Sequence, residues 1–414
     1  MINLRVASVL AGAIALLLPA SRAGELTSFK FDFGSGPAAP GWTKILPTTI
    51  YSPASGHGFE PGATISAVEH GFVTSAQPFL FSTKLPEGNY RVTVTLGNAA
   101  GESTNTIKAE SRRLMLENVR TARGKFSTNT FTVNIRTPKI AGGGAVKLKD
   151  RENNYLHWDD KLTLEFNGAR PCLAALEIAP APDAITVYLA GDSTVTDQPR
   201  EPWNSWGQML PRFFQSGVAV ANHAESGESF KSSIGAHRFD KIFSTIKPGD
   251  YLLMQFGHND MKDKAPDALA SYKSNLERFV EQARKVGATP VLITWMERKG
   301  GVDRDTLGDY PKTVREVAGE KNVALIDLHA MSKVLYRALG ANLGNAFQDG
   351  THHNNYGSYE LAKCVVEGLK SNQLPLAKLF ATDVPAFDPA HPDPVEQFAV
   401  PSSSQRDATK PDGN

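Results

Sequence analysis

Cysteine is scarce in this chain: Cys172 and Cys364 are the only two among 414 residues. Two thiols cannot build a disulfide scaffold or a cysteine-based zinc cluster. Cys172 opens a strand-like segment and Cys364 sits in an apolar helical run, Leu361–Leu369. Both read as small buried hydrophobes rather than as a bridge. An excess of either charge is also missing, with 44 Lys+Arg against 43 Asp+Glu. That balance argues against a nucleic-acid binder and against an acidic disordered chain. The 35 glycines and 26 prolines are too few for a low-complexity chain, and no internal repeat is present. Beyond the first twenty residues there is no long apolar run. The run that exists, Val6–Leu18, follows Arg5 and precedes Ser21-Arg22-Ala23, which puts small residues at −3 and −1 of a cleavage site. It falls short of the roughly 20 residues a membrane span needs. A signal peptide over residues 1–23 is predicted. The protein is then expected to be exported, periplasmic or secreted, with no stable membrane insertion once the signal is removed.

What is present divides into two patterns. Residues 24–182 read as an all-β sandwich. Val92, Val94 and Leu96 alternate with Arg91, Thr93 and Thr95; Phe131, Val133 and Ile135 alternate with Thr132 and Asn134. Leu162, Leu164 and Phe166 alternate with Thr163 and Glu165. Period-two alternation describes strands with one buried face. Turn signals such as Pro86-Glu87-Gly88-Asn89 and Gly142-Gly143-Gly144 separate them. The stretch Ala179-Pro180-Ala181-Pro182 reads as a linker.

From 183 to 380, strand and helix patterns alternate. Strands are predicted at Ile185–Ala190, Val218–Ala221, Tyr251–Phe256, Pro290–Thr294 and Val323–Asp327. Helices are predicted at Trp206–Phe214, with Pro211 as a kink, at Asp267–Val286 and at Tyr356–Leu369. This is an α/β domain, a parallel sheet between helical layers. Ligands of such sheets bind beyond the carboxyl ends of the strands. Residues 381–414 form a Pro-rich tail, expected to run over the surface without regular structure.

The strand ends carry unusual polar sequence. Gly191-Asp192-Ser193-Thr194 follows the first strand. Ser226-Gly227-Glu228-Ser229 comes after the second, and Gly257-His258-Asn259-Asp260 after the third. Asp349-Gly350-Thr351-His352 precedes the last helix. Serine acyl transfer needs a hydroxyl, an imidazole, a carboxylate to orient it and donors for the oxyanion. Ser193 sits just past a strand. One helix-like turn would bring Asp349 beside His352. Gly227 lets a backbone N–H approach closely, and Asn259 offers an amide. His223, His258 and His353 remain rival bases on this reading, and each block alone has a turn or capping explanation.

Taken together, the four blocks resemble those of the GDSL/SGNH hydrolases, over about residues 185–379. Within that superfamily, Gly191-Asp192-Ser193-Thr194-Val195, Gln255-Phe256-Gly257-His258-Asn259-Asp260 and Asp349-x-x-His352 look most like rhamnogalacturonan acetylesterases of carbohydrate esterase family 12. The region before them is similar to a galactose-binding-like β-sandwich. The resemblance implies a three-layer flavodoxin-like fold for the second domain. It also implies Ser193 as nucleophile, His352 as base and Asp349 as its orienting partner. The Ser193 and Gly227 N–H groups and the Asn259 amide would form the oxyanion hole. No metal or organic cofactor is implied. Trp203, Trp206 and His258 are candidate substrate contacts, and Glu228, acidic where relatives often carry a basic or small residue, is expected to alter them. The expected function is deacetylation of a plant cell-wall polysaccharide, acetylated rhamnogalacturonan. Alternatives are an esterase for acetylated xylan, another acetylated sugar or a lipid acyl ester, and a non-catalytic carbohydrate-binding protein.

Overall fold

Alternation along Gly88–Asn98 translates directly into a strand with one apolar face. In a computed structural model, which describes residues 27–68 and 71–412, this strand pairs antiparallel with Lys125–Ile135, Val92 opposite Phe131. Val92, Val94 and Leu96 are fully buried, while Arg91 stays exposed. With Phe31, Phe81, Leu164, Phe166 and Leu176 they fill the space between two sheets, of seven and five strands among the described residues. This is an all-β sandwich. The predicted signal peptide over 1–23 lies outside the described residues.

Glu165 departs from the alternation rule. It reads as solvent-facing, yet it is 6% exposed. Ser403, more than two hundred residues away, donates to its Oε1 at 3.0 Å, and the Ser402 carbonyl accepts from Asn167 at 2.9 Å. The segment after 381 is therefore not a loose surface tail. It is largely irregular, but Val400 and Ser403 are buried, and Glu201 bridges to Arg406. Its prolines prevent a ladder, and its side chains supply the packing instead.

The second domain is α/β. Five parallel strands, Ile185–Gly191, Val218–Asn222, Tyr251–Gln255, Thr289–Ile293 and Ala324–Ile326, are ordered second, first, third, fourth, fifth. Both faces are covered, so Val187, Leu189, Leu252 and Val291 are all fully buried without alternation. Helix Ala268–Lys285 contributes Tyr272, Leu276, Phe279, Val280 and Ala283 to this core. The predicted kink at Pro211 is present: Trp206–Met209 is α-helical and Leu210–Phe213 is a 3-10 turn. The strand order reverses between the first and third strands, and a sheet of this kind opens its crevice there.

Both domains share one polar interface. Leu114 of the sandwich is buried in the α/β core. Across the same boundary, Arg113 Nε lies 3.2 Å from Asp197 Oδ2, Arg112 Nη2 2.6 Å from Glu201 Oε1, and Arg238 Nη2 2.6 Å from Glu152 Oε2. All of these side chains are nearly inaccessible to solvent. Removing one partner of such a pair strands a buried charge, at a cost of about 3–5 kcal/mol.

Candidate active site

The first strand ends at Gly191, and the chain turns at once. Asp192 Oδ1 accepts from the Thr194 N–H at 2.9 Å and from Thr194 Oγ1 at 2.7 Å. The turn presents Ser193 at the crevice mouth. Its Oγ lies 2.8 Å from His352 Nε2, and His352 Nδ1 lies 2.8 Å from Asp349 Oδ2. Asp349 and His352 meet through a tight bend rather than the helix-like turn expected. Asp349 Oδ1 accepts from the N–H groups of Thr351 at 2.7 Å and His352 at 2.6 Å, and the Gln348 N–H closes the loop on the His352 carbonyl at 2.9 Å. Half-burial would raise the Asp349 carboxyl. The His352 imidazole and these N–H donors outweigh it and hold the group well below the usual carboxylate range. The carboxylate is therefore charged wherever the imidazole needs orienting.

Gly227 lies between two linked neighbours. Gln198 Nε2 donates to the Ser193 carbonyl at 2.7 Å and to Ser226 Oγ at 3.2 Å. Asn259 Nδ2 donates to the Glu228 carbonyl at 2.9 Å. These bonds bring the Ser193, Gly227 and Asn259 segments together. Gly227 has φ +81°, a conformation glycine adopts without strain. Gln255 fastens the first and third blocks to the helix that follows Ser193, donating to Thr194 Oγ1 and accepting from Trp206 Nε1, each at 2.8 Å.

Some expected contacts are corrected. Trp206 is 1% exposed with its N–H satisfied by Gln255, so it is core and no platform for sugar. His258 is 1% exposed as well, edge-on to Trp295 and 3.6 Å from Asp192 Oδ2. Burial lowers its basicity and Asp192 partly restores it. It supports the Ser193 turn instead of meeting substrate. Glu228, expected to alter substrate contacts, is 2% exposed and lies 3.2 Å from Lys149 of the sandwich. Its charge serves the interface. Of the rival bases, His223 is fully buried, and His353 bonds Tyr336 Oη at 2.8 Å with its pKa pushed down to about 3 by burial. Both cysteines are free and buried.

Trp203, by contrast, lines a cleft of about 280 Å³. Its ring stands edge-on to His352, centroids 5.6 Å apart. The other walls were not foreseen. Arg151, Asn154 and Tyr155 come from the sandwich, Gln198 and Arg200 from the loop after Ser193, and Asp407, Lys410 and Asp412 from the C-terminal segment. Only Gln198 and Arg200, near Ser193 in sequence, carried any local signal. Among the described residues, one group has metal-ligand spacing: Glu297, Asp305 and His329. Lys333 Nζ lies 2.6 Å from Asp305 and Arg315 Nη2 lies 3.0 Å from His329 Nδ1, so cationic side chains already serve Asp305 and face His329.

Residues 189–358 match the GDSL-like lipase/acylhydrolase family. Residues 29–140 match the galactose-binding-domain-like region of β-agarases and YXIM-type esterases. The chain is 39% identical over 214 residues to the rhamnogalacturonan acetylesterase RhgT of Bacillus subtilis, covering 46% of this chain and 92% of that protein. It is 29% identical over 385 residues to the uncharacterized esterase YxiM of the same organism, covering 84% of this chain and 92% of that protein. A rhamnogalacturonan acetylesterase of Emericella nidulans is 26% identical over 226 residues, covering 48% of this chain and 89% of that protein.

Proposed function

We propose, from the premise that this chain belongs to the GDSL-like lipase/acylhydrolase family and is an acetylesterase, that its substrate is acetylated rhamnogalacturonan. Ser193, His352 and Asp349 carry the reaction. Ser193 Oγ attacks the acetyl carbonyl while His352 Nε2 takes its proton. The sugar oxygen leaves with that proton, and water, activated by the same imidazole, releases acetate. The Ser193 and Gly227 N–H groups and the Asn259 amide stabilise the oxyanion. The non-catalytic reading of the chain is set aside, since the chain is a carboxylic ester hydrolase.

The observation that carries the substrate reading is the lining of the cleft beside His352. Arg151, Asn154, Tyr155, Gln198, Arg200 and Trp203 make it polar with an aromatic edge. Hydrogen-bonding side chains beside an aromatic edge suit a saccharide. Export rests on residues 1–23 alone. We also infer that the sandwich, through its buried ion pairs, acts as a structural partner of the hydrolase.

Acetate release from a panel of acetylated rhamnogalacturonan, xylan and a lipid ester tests the reading. Rhamnogalacturonan should be the best substrate. A higher kcat/KM on xylan would reassign it, and the Ser193→Ala protein should lose turnover on every member. Retained turnover in that variant would overturn the triad.

A further inference from the structure

The cleft is not open to its full extent, because the chain reaches back into it. After Ser403, the backbone is held by Glu201: its N–H donates to the Gln405 carbonyl at 2.9 Å, and its carbonyl accepts from the Asp407 N–H at 2.8 Å. The next six residues lie across the site. Trp203 Nε1 donates to the Asp407 carbonyl at 3.1 Å, and Lys410 Nζ lies 3.6 Å from Asp349 Oδ2. A Cβ added to Gly227 would sit 3.0 Å from the Cβ of Asp412.

Two carboxylates of this segment meet two cleft arginines. Arg200 Nη1 donates to Asp407 Oδ2 at 2.9 Å. Arg151 pairs with Asp412, while its Nη2 lies 2.6 Å from Glu225 Oε1 and donates to the Ser226 carbonyl at 2.9 Å. Glu225 and Ser226 thus fix the guanidinium from behind and leave its far side to a second anion. A planar guanidinium held in this way is suited to a carboxylate. The two tail carboxylates are 38% and 59% exposed. Exposed ion pairs of this kind are weak and salt-screened. Ser403 and Gln405 just before it are anchored on Glu201, so the segment can leave at the cost of the Asp407 backbone bonds without unfolding the rest.

We propose that Arg151 and Arg200 are carboxylate subsites for an acidic saccharide, and that Asp407–Asp412 occupies them as an internal mimic until substrate displaces it. The near-neutral net charge of the chain offers a polyanion no general attraction, so recognition falls to local cations such as these two side chains. The proposal rests on the saccharide reading of the cleft. It is tested by binding, so failure of the esterase chemistry would leave the measurement intact.

The experiment is calorimetric titration of trigalacturonate, with neutral xylotriose as control. It is run on the full chain, on a chain ending at Arg406 and on the Asp407→Asn/Asp412→Asn double variant. A segment held by two weak, exposed pairs is closed on the order of four-fifths of the time, which raises the apparent Kd about fivefold. Both altered chains should therefore bind trigalacturonate about fivefold more tightly than the full chain, with the gain shrinking as salt rises. Adding Arg200→Gln to the shortened chain should weaken trigalacturonate binding roughly tenfold relative to its parent. Arg151 is left intact because it also neutralises Glu225. Equal Kd values for the full chain and the double variant would overturn the mimic. Binding of xylotriose as tight as trigalacturonate, or indifference to Arg200→Gln, would overturn the subsites.

Discussion

At the scale of single residues, the site depends on a carboxylate with two simultaneous tasks. Asp349 accepts two backbone N–H groups through one oxygen and faces the imidazole with the other. Asp349→Asn keeps the first task, since an amide oxygen accepts equally well. It fails the second, because the amide N–H₂ would face His352 Nδ1 and force a proton onto Nε2. That nitrogen could then no longer accept from Ser193. We expect kcat for an aryl acetate to fall roughly 10³–10⁴-fold with the melting temperature nearly retained, the range for loss of an orienting carboxylate. A loss below tenfold, read by stopped-time kinetics on folded protein, would show that the imidazole is oriented by other groups. Ser193, Asp349, His352 and Asn259 could all be singled out in the sequence because their blocks are short and local. Arg151 could not: nothing in Asp150-Arg151-Glu152-Asn153 distinguishes it from any charged turn.

At the scale of elements, the loops after the first and third strands are held by steric fit as much as by hydrogen bonds. Gly257 has φ +149°, and a Cβ there would come within 1.9 Å of the Trp295 ring, which is fully buried. Gly257→Ala therefore demands both a disfavoured backbone and displacement of an indole. Overpacking of this kind costs about 1–3 kcal/mol, occasionally more. Chemical denaturation should register that loss. Activity should drop as well, since Gly257 leads directly into Asn259. An alanine variant with unchanged midpoint and kcat would show that Trp295 can yield. The five parallel strands and the helices at Asp267–Val286 and Tyr356–Leu369 were legible from periodicity, their ends shifting by only a residue or two, whereas helices Tyr310–Glu320 and Leu328–Leu339 were not singled out and the strand Lys125–Ile135 begins six residues before its visible alternation. The bend at Asp349 was not, because a chelated turn and the first turn of a helix share the same spacing and the same residue types.

At the scale of the whole molecule, both domains carry carboxyls out of contact with water, and these set a pH signature. Glu110 is fully buried, and burial pushes its carboxyl up to about 8 despite Arg113 at 3.7 Å. In the unfolded chain it would titrate in the ordinary carboxylate range. Between those values the folded state holds a proton that the unfolded state has lost, so stability falls as pH rises. Asp260, raised to about 7, and Glu225, also raised, act with the same sign. Above pH 7 the decline contributed by Glu110 persists. Glu110→Gln keeps an oxygen for the Thr163 N–H, now bonded at 3.0 Å, and removes the titration. Melting temperatures measured from pH 5 to 8.5 should decline less steeply above pH 7 in the variant. Parallel curves would mean that Glu110 is ionised throughout.

The sequence by itself determined the two fold classes and the strands of the parallel sheet, since alternation and 3.6-residue spacing are properties of neighbours along the chain. It likewise determined the four blocks, two of which make the Ser193–His352–Asp349 contacts. Tertiary structure alone decided what surrounds them. Trp206 went to the core while Trp203 went to the cleft, although only two residues separate them, because the short helix turns one face to the sheet and its preceding loop to the site. Glu165 was buried by Ser403, Glu228 was claimed by Lys149, and the C-terminal segment was laid beside Asp349. These contacts join residues far apart in the chain. Their partners are chosen by which surfaces the two domains bring together, and no local pattern records that choice.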